Sequence, residues 1–228
     1  MNDIFSRTRL LIGEEAIIKL NNSRIALFGL GGVGGYVCEA LVRSGVGVID
    51  IIDNDRVEPT NYNRQIIATA QTIGQLKTTA FKDRILSINP NCKVTEYPVF
   101  FTKDTAADFD FSQYDYVIDA IDTVTSKVEL AYLCEQSGTP IISCMGTGNK
   151  LYGDRFEVTD IYNTSVCPLC RAMRRLLKEK GVRRLKVVYS KEQPTKPKDS
   201  KVCGTLAFVP ASAGMLIAQT VIHDLLNI

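Results

Sequence analysis

Six residues, Gly29-Leu30-Gly31-Gly32-Val33-Gly34, constrain this chain more than any other stretch. They come after an apolar run of strand character, Arg24–Phe28, and open a helix-like segment from Val33 to Ser44. Four glycines in six residues leave the backbone bare, so its N–H groups can approach a phosphate at a helix N-terminus. Gly45 and Gly47 break that helix, and Val48–Ile52 reads as a second buried strand that stops at Asp53. Strand, glycine turn, helix, strand and acid make one βαβ unit, in which the acid can accept hydrogen bonds from ribose hydroxyls. Taken alone, this fingerprint specifies a nucleotide and does not separate NAD from ATP.

The rest of the chain continues the alternation. An amphipathic helix is expected over 7–20 and a second helix over 74–88, ended by Asn89-Pro90. Lys93–Phe100 alternates weakly, as a strand would. Tyr116–Ala120 reads as a strongly buried strand, 125–137 as a helix, Pro140–Met145 as another strand, and Gly214–Leu226 as a packed closing helix. Alternating β and α elements predict an α/β, Rossmann-like, doubly wound and mostly parallel sheet with helices on both faces. Two parts are expected. Residues 1–150 form the nucleotide-binding body, and 151–228 a smaller basic substrate part with a crossover segment; the two are compatible with one continuous domain. Two prolines and several lysines between Tyr189 and Lys201 predict a mobile loop.

Composition removes several function classes. The 228 residues are 45% hydrophobic and 23% charged, ordinary for a globular protein. No window approaches the ~18 apolar residues needed to span a bilayer, and the N-terminus lacks the basic-then-apolar order of a signal peptide. A cytoplasmic location is expected. The seven cysteines are odd in number and scattered, which fits reduced thiols better than a disulfide framework. A single histidine, His223, argues against a His-based triad or a His-rich metal site.

The net charge of +2 conceals an asymmetry. Residues 171–201 hold twelve Lys/Arg and three acids, a local charge of +9, and the remainder carries −7. Such a block is either a solvated face or the footprint of a polyanion such as RNA.

The residues beyond Asp53 favour a triphosphate over a dinucleotide. Asn61-Tyr62-Asn63-Arg64-Gln65 is a polar cluster between apolar segments, and Lys77 opens the next helix. A triphosphate carries about four negative charges, which Arg and Lys can balance. Asp119-Ala120-Ile121-Asp122 sits at the C-terminal end of a buried strand, where open α/β sheets place ligands. An Asp there can hold Mg2+ on the phosphates; capping of the next helix is the competing role for Asp122.

In order along residues 1–150, Arg9, the glycine turn, Asp53-Asn54-Asp55, Asn61–Gln65, Lys77 and Asp119–Asp122 resemble the ubiquitin-activating-enzyme-like adenylyltransferase superfamily. The resemblance implies ATP bound by Gly29, Gly31, Gly32, Val33, Gly34, Asp53, Asp55, Asn61, Arg64, Gln65, Lys77, Asp119, Ile121 and Asp122. It implies catalytic roles for Arg9, Arg64, Lys77 and Asp122, with Asp122 near Mg2+ and the α-phosphate. Arg9 is then expected to reach the partner's phosphates in a homodimer. The implied chemistry is activation of a carboxylate as an acyl-adenylate with release of pyrophosphate.

Two branches compete for the substrate. The sulfur-carrier branch activates the C-terminus of a ubiquitin-like protein and usually holds zinc on two Cys-x-x-Cys pairs. This chain has one pair, Cys167-Pro168-Leu169-Cys170, so structural zinc is not expected. The stretches Arg43–Gly47, Gly146–Lys150, Cys170–Leu176, Val187–Ser190 and Pro210–Gly214 resemble the tRNA threonylcarbamoyladenosine dehydratase branch. That resemblance implies ATP-dependent cyclisation of the threonylcarbamoyl group on adenosine 37 of tRNAs. Arg171, Arg174, Arg175, Arg183, Arg184 and Lys186 are the candidate tRNA contacts, and DNA is not expected as a partner. Cys203 lies near a position where superfamily members carry a reactive thiol; an inert role is the competing reading. A monovalent cation near the site and a sulfur-transfer or cysteine-desulfurase partner stay open.

Overall fold

The computed structural model describes residues 3–195 and 202–228. Seven strands form one sheet: β1 (Arg24–Phe28), β2 (Val48–Ile52), β3 (Lys93–Tyr97), β4 (Tyr116–Asp119), β5 (Ile141–Cys144), β6 (Phe156–Asp160) and β7 (Lys186–Ser190). Their order is β3-β2-β1-β4-β5-β7-β6. All pairings are parallel except β6 with β7. Strands β1, β2 and β4 read as near-continuous apolar runs because both of their faces are covered by helices or loops. The chain reverses its direction of travel across the sheet between β1 and β4, so a crevice opens beyond their C-terminal ends. The sheet runs unbroken across residue 150, since β7 pairs with β5.

Seven helices accompany the sheet: α1 (Ser6–Ile12), α2 (Glu14–Asn22), α3 (Gly34–Ser44), α4 (Lys77–Ile88), α5 (Val124–Ser137), α6 (Pro168–Glu179) and α7 (Phe208–Leu226). Helix α3 ends on Gly45 in the left-handed conformation, which a residue without Cβ adopts freely. The predicted helix over 7–20 is two helices. Gly13, at φ +87 and ψ 170, breaks the path between α1 and α2. Residues 74–76 precede α4 as a turn, where Leu76 bridges to Arg56. Helix α7 starts six residues before Gly214, because Pro210 in a first turn removes no needed donor.

Three elements went unread in the sequence: β6, β7 and α6. Strand β6 alternates weakly and lies at the sheet edge, and α6 is strongly polar on its outer face. Only Cys170, Met173 and Leu177 of α6 are buried, at helical spacing. Helix α7 is also long and apolar enough, by length and composition, to cross a membrane, which amends the expectation that no window reaches that size. Val209, Ala213, Ile217, Ala218 and Val221 of α7 are buried, and all but Val209 belong to the main core with Val37 and Leu41 of α3. The predicted mobile loop falls partly outside the described residues, as do Lys196, Lys198 and Lys201.

A charged clamp joins α3 to α4. Glu39 is 7% exposed and accepts hydrogen bonds from Arg84 at 2.8 and 3.0 Å and from Arg43 at 2.7 Å. Burial pushes its carboxyl up, but the two guanidinium groups outweigh that and hold it below the ordinary glutamate value. A lowered native pKa contributes stability above the unfolded value of 4.5, which is lost as pH falls through the native value. Glu39→Gln should therefore lower stability at pH 7 and flatten its fall below pH 4.5, measured by urea unfolding across pH.

Candidate active site

Beyond the C-terminal ends of β1, β2 and β4 lies a cavity of about 240 Å3, lined by Gly29, Gly31, Asp53, Asp55, Lys77, Phe101 and Asp122 among others. Its floor depends on missing side chains. A Cβ at Gly34 would stand 1.8 Å from the carbonyl oxygen of Gly29. Gly29 itself has φ +90, and a Cβ there would meet the Ala120 carbonyl oxygen at 2.6 Å. By contrast, nothing stands within 4 Å of a Cβ at Gly31, so that backbone faces open space. The turn is thus close-packed behind and bare in front, the arrangement in which N–H groups and a helix N-terminus meet an anion.

Asp53 anchors the turn to the end of β2. Its Oδ2 accepts the Leu30 N–H at 2.7 Å, and its Oδ1 accepts the Asp55 N–H at 2.8 Å. Each oxygen keeps a second lone pair for a ligand hydroxyl. Lys77, 5% exposed, reaches Asp55 Oδ2 at 2.7 Å and stands 3.8 Å from Asp53 Oδ1. Arg64 lies against the glycine turn, since a Cβ at Gly32 would be 3.4 Å from its Cγ. Its Nη1 donates to the Thr60 carbonyl and to Asn63 Oδ1, both at 2.9 Å. Asn61 is buried and caps the short turn over Pro59–Asn61, accepting the Glu58 N–H. Gln65 is buried with its Oε1 unpartnered. Val33 precedes α3 as its N-cap.

The two aspartates after β4 differ sharply. Asp122 is exposed at the cavity, and among the described residues its one hydrogen-bond contact is from the Thr123 hydroxyl at 3.4 Å. Asp119 is fully buried and engaged on both oxygens. Lys127 pairs with it at 2.9 Å, Ser143 donates to it at 2.5 Å, and the Ile121 N–H donates at 3.1 Å. Lys127 Nζ also donates to the Ile121 carbonyl at 3.0 Å. This buried pair grips Ile121 from both sides and so shapes the loop that presents Asp122.

Lys127, Ser143 and the wall Val99–Phe101 carry no signal in the sequence. Lys127 is one of three charged residues of α5, and nothing in its spacing sets it apart from Glu129 and Glu135. The wall is set by packing, with Phe28 and Phe101 meeting edge to face at 4.9 Å within a cluster that includes Phe109 and Phe111.

Other candidate residues lie apart from this cavity. Arg9 is on α1 and pairs with Asp3 and Glu14. Arg174 is half-buried and donates to the Thr164 carbonyl at 3.0 Å, tethering the loop before α6. Arg171, Arg175, Arg183 and Arg184 are exposed, and Lys186 pairs with Asp224. Arg184 and Lys186 line a different cleft, of about 720 Å3, at the opposite end of the strands, where β4, β5 and β7 begin. Cys203 is exposed beside Gly148 and Asn149. No group of three or more His, Cys, Asp or Glu suited to a metal ion occurs among the described residues.

Removing one partner of a buried ion pair leaves an uncompensated charge, at about 3–5 kcal/mol. Lys127→Met should destabilise the fold by an amount of that order. Lys127→Met with Asp119→Leu should recover part of it. Chemical denaturation of both variants checks the pairing.

The sequence matches the ThiF family over residues 5–228. It is 39% identical to the tRNA threonylcarbamoyladenosine dehydratase of Bacillus subtilis (strain 168), over 98% of this chain and 94% of that protein. It is 37% identical to the enzyme of that name from Escherichia coli (strain K12), over 89% of this chain and 79% of that one. The crystal structure of the E. coli dehydratase TcdA in complex with ATP superposes with a TM-score of 0.92 at 34% identity, covering 98% of this chain and 93% of that one. With the glycine turn, the switch-point cavity and a match of this extent in agreement, the chain belongs to the ThiF family.

Proposed function

We propose that this protein is an ATP-dependent tRNA-modifying dehydratase, which adenylates the threonyl carboxylate of N6-threonylcarbamoyladenosine and cyclises it. One observation carries the reading: a chain matching a dehydratase along nearly its whole length also holds Gly31, Asp53, Lys77 and Asp122 around one cavity. TcdA has been crystallised with ATP and with AMP, the substrate and one product of such a reaction.

A carboxylate is a poor electrophile because oxide is a poor leaving group, and AMP is a far better one. The carboxylate oxygen attacks the α-phosphorus, and pyrophosphate leaves. Two anions must meet in that step, so Lys77 and Arg64 offset repulsion and developing charge. The substrate carboxylate is already ionised at pH 7, so no protein base is required. The carbamoyl group of the same side chain then closes on the activated carbonyl and expels AMP. That closure is intramolecular, and a high effective molarity replaces an external nucleophile.

Asp53 holds the ribose, and the turn at 29–34 the phosphates. Val99, Phe100 and Phe101 supply an apolar wall beside them. Asp122 is open and negatively charged, so it fits a magnesium ion that screens charge on the phosphates. Asp119 serves by shaping that loop. Two copies of the chain are proposed to pair through α1, on which Leu10 and Leu11 are 88% and 86% exposed. In that pair Arg9 exchanges Asp3 and Glu14 for the partner's phosphates. A cytoplasmic location follows from the tRNA substrate.

Lys77→Met and Asp122→Asn should each lower ATP–pyrophosphate exchange with threonylcarbamoyl-tRNA by about 10²–10³-fold, with unchanged circular dichroism. Exchange stimulated by a ubiquitin-like carrier and not by the tRNA would overturn the assignment. Arg171 and Arg175 are exposed on α6, whereas Arg174 tethers a loop. Arg171→Glu with Arg175→Glu should weaken tRNA binding and reduce its salt slope by about 2, leaving ATP affinity as it was. An unaltered slope in filter binding would remove α6 from the tRNA surface.

A further inference from the structure

Four of the buried cysteines behave as small apolar residues. Burial pushes each thiol up, to about 11 for Cys92 and about 12 for Cys144, and higher for Cys38 and Cys134. Cys167 goes the other way. It is the N-cap of α6, and the nearby Cys170 thiol and N–H groups of Cys170, Gly146 and Leu169 favour its thiolate. Those donors outweigh burial and hold Cys167 below the ordinary cysteine value. Cys170 rises in turn, because its proton is held on Cys167 and because it is buried. Lys150 lies near Cys167, and Arg174 near Cys170, so the surroundings are cationic.

The geometry suits a covalent link. Residues three apart at a helix start have Cα atoms about 5 Å apart, inside the range a disulfide spans. Cys167 is 5% exposed and Cys170 not at all, so of the two residues Cys167 is the one that solvent reaches. Val166, just before it, has φ +47, a strained conformation for a β-branched residue, which the surrounding fold must hold.

We propose that Cys167 and Cys170 form a dithiol–disulfide pair, oxidised by small disulfides such as glutathione disulfide. The Cys167 thiolate attacks one sulfur of the oxidant, forming a mixed disulfide and releasing one glutathione thiolate. Cys170 then loses its proton and attacks Cys167 Sγ, expelling the second glutathione. The protein pair loses two electrons and one proton, and the oxidant becomes one thiol and one thiolate. The bond removes the thiolate that the nearby Gly146 N–H favours. Gly146 opens the stretch to Lys150, in which Asn149 accepts the Thr195 and Gly204 N–H groups. The redox change therefore lands beside the stretch that holds the backbones of Thr195 and Gly204.

The test uses the folded wild-type protein in glutathione buffers of increasing potential, quenched in acid and read by peptide mass spectrometry. The expected product is a Cys167–Cys170 bond, two hydrogens lighter, while Cys38, Cys92, Cys134 and Cys144 react only after denaturation. Cys170→Ser should instead trap glutathione on Cys167, and iodoacetamide should alkylate that Cys167 with a pH midpoint below the ordinary value of about 8.5. Two free thiols at potentials that glutathionylate the exposed Cys203 would overturn the proposal. So would a Cys170→Ser protein that traps nothing, or a midpoint at or above the ordinary value.

Discussion

The approach of Gly34 to the Gly29 carbonyl is the contact that sets the rest of the molecule. It lets β1 turn directly into α3 with no side chain between them. The Leu30 N–H can then reach Asp53 at the end of β2, and the Ala120 N–H can bond the Phe28 carbonyl at the end of β1. Three parallel strands are thereby brought to one rim at a common level, and the cavity is what remains between their ends.

Around that rim, polar groups are arranged by how far they must stay from water. Asp119 and Lys127 are both fully buried, and each depends on the other and on Ile121 for partners. Such a pair adds little net stability over an apolar pair. Its effect is geometric: it fixes the chain path at Ile121, and Asp122 is left free and exposed one residue later. Two aspartates three positions apart thus divide into one that shapes the loop and one that faces the cavity. On the other rim wall, the ring cluster of Phe28, Phe101, Phe109 and Phe111 carries the chain after β3 across the ends of β1 and β2.

Much of the fold was legible because it rests on local rules. Near-continuous apolar runs marked β1, β2 and β4, since strands covered on both faces need no polar alternation. A glycine marked the end of α3 at Gly45, where the backbone turns left-handed, and α5 stops at Gly138 in the same way. The same residue type misled the reading at Gly13, where one glycine divides an apparently continuous amphipathic segment. Strand β6 and helix α6 were obscure because each buries little: an edge strand exposes one side, and α6 buries three residues of twelve. The basic block likewise read as one patch along the chain, whereas α6 and β7 distribute it from the helix surface to the end of the sheet where β7 begins.

Spacing along the chain and the bareness of glycine were enough to settle the nucleotide fingerprint, the alternation of elements and the identities of the charged residues near the cavity. Which of those charges is free was settled in three dimensions. Whether an aspartate is buried against Lys127 or open like Asp122, whether Arg174 meets solvent or a loop carbonyl, and whether a cysteine is pushed up or down all depend on neighbours distant in the chain. Desolvation and hydrogen bonding act through space, and a linear pattern does not contain them.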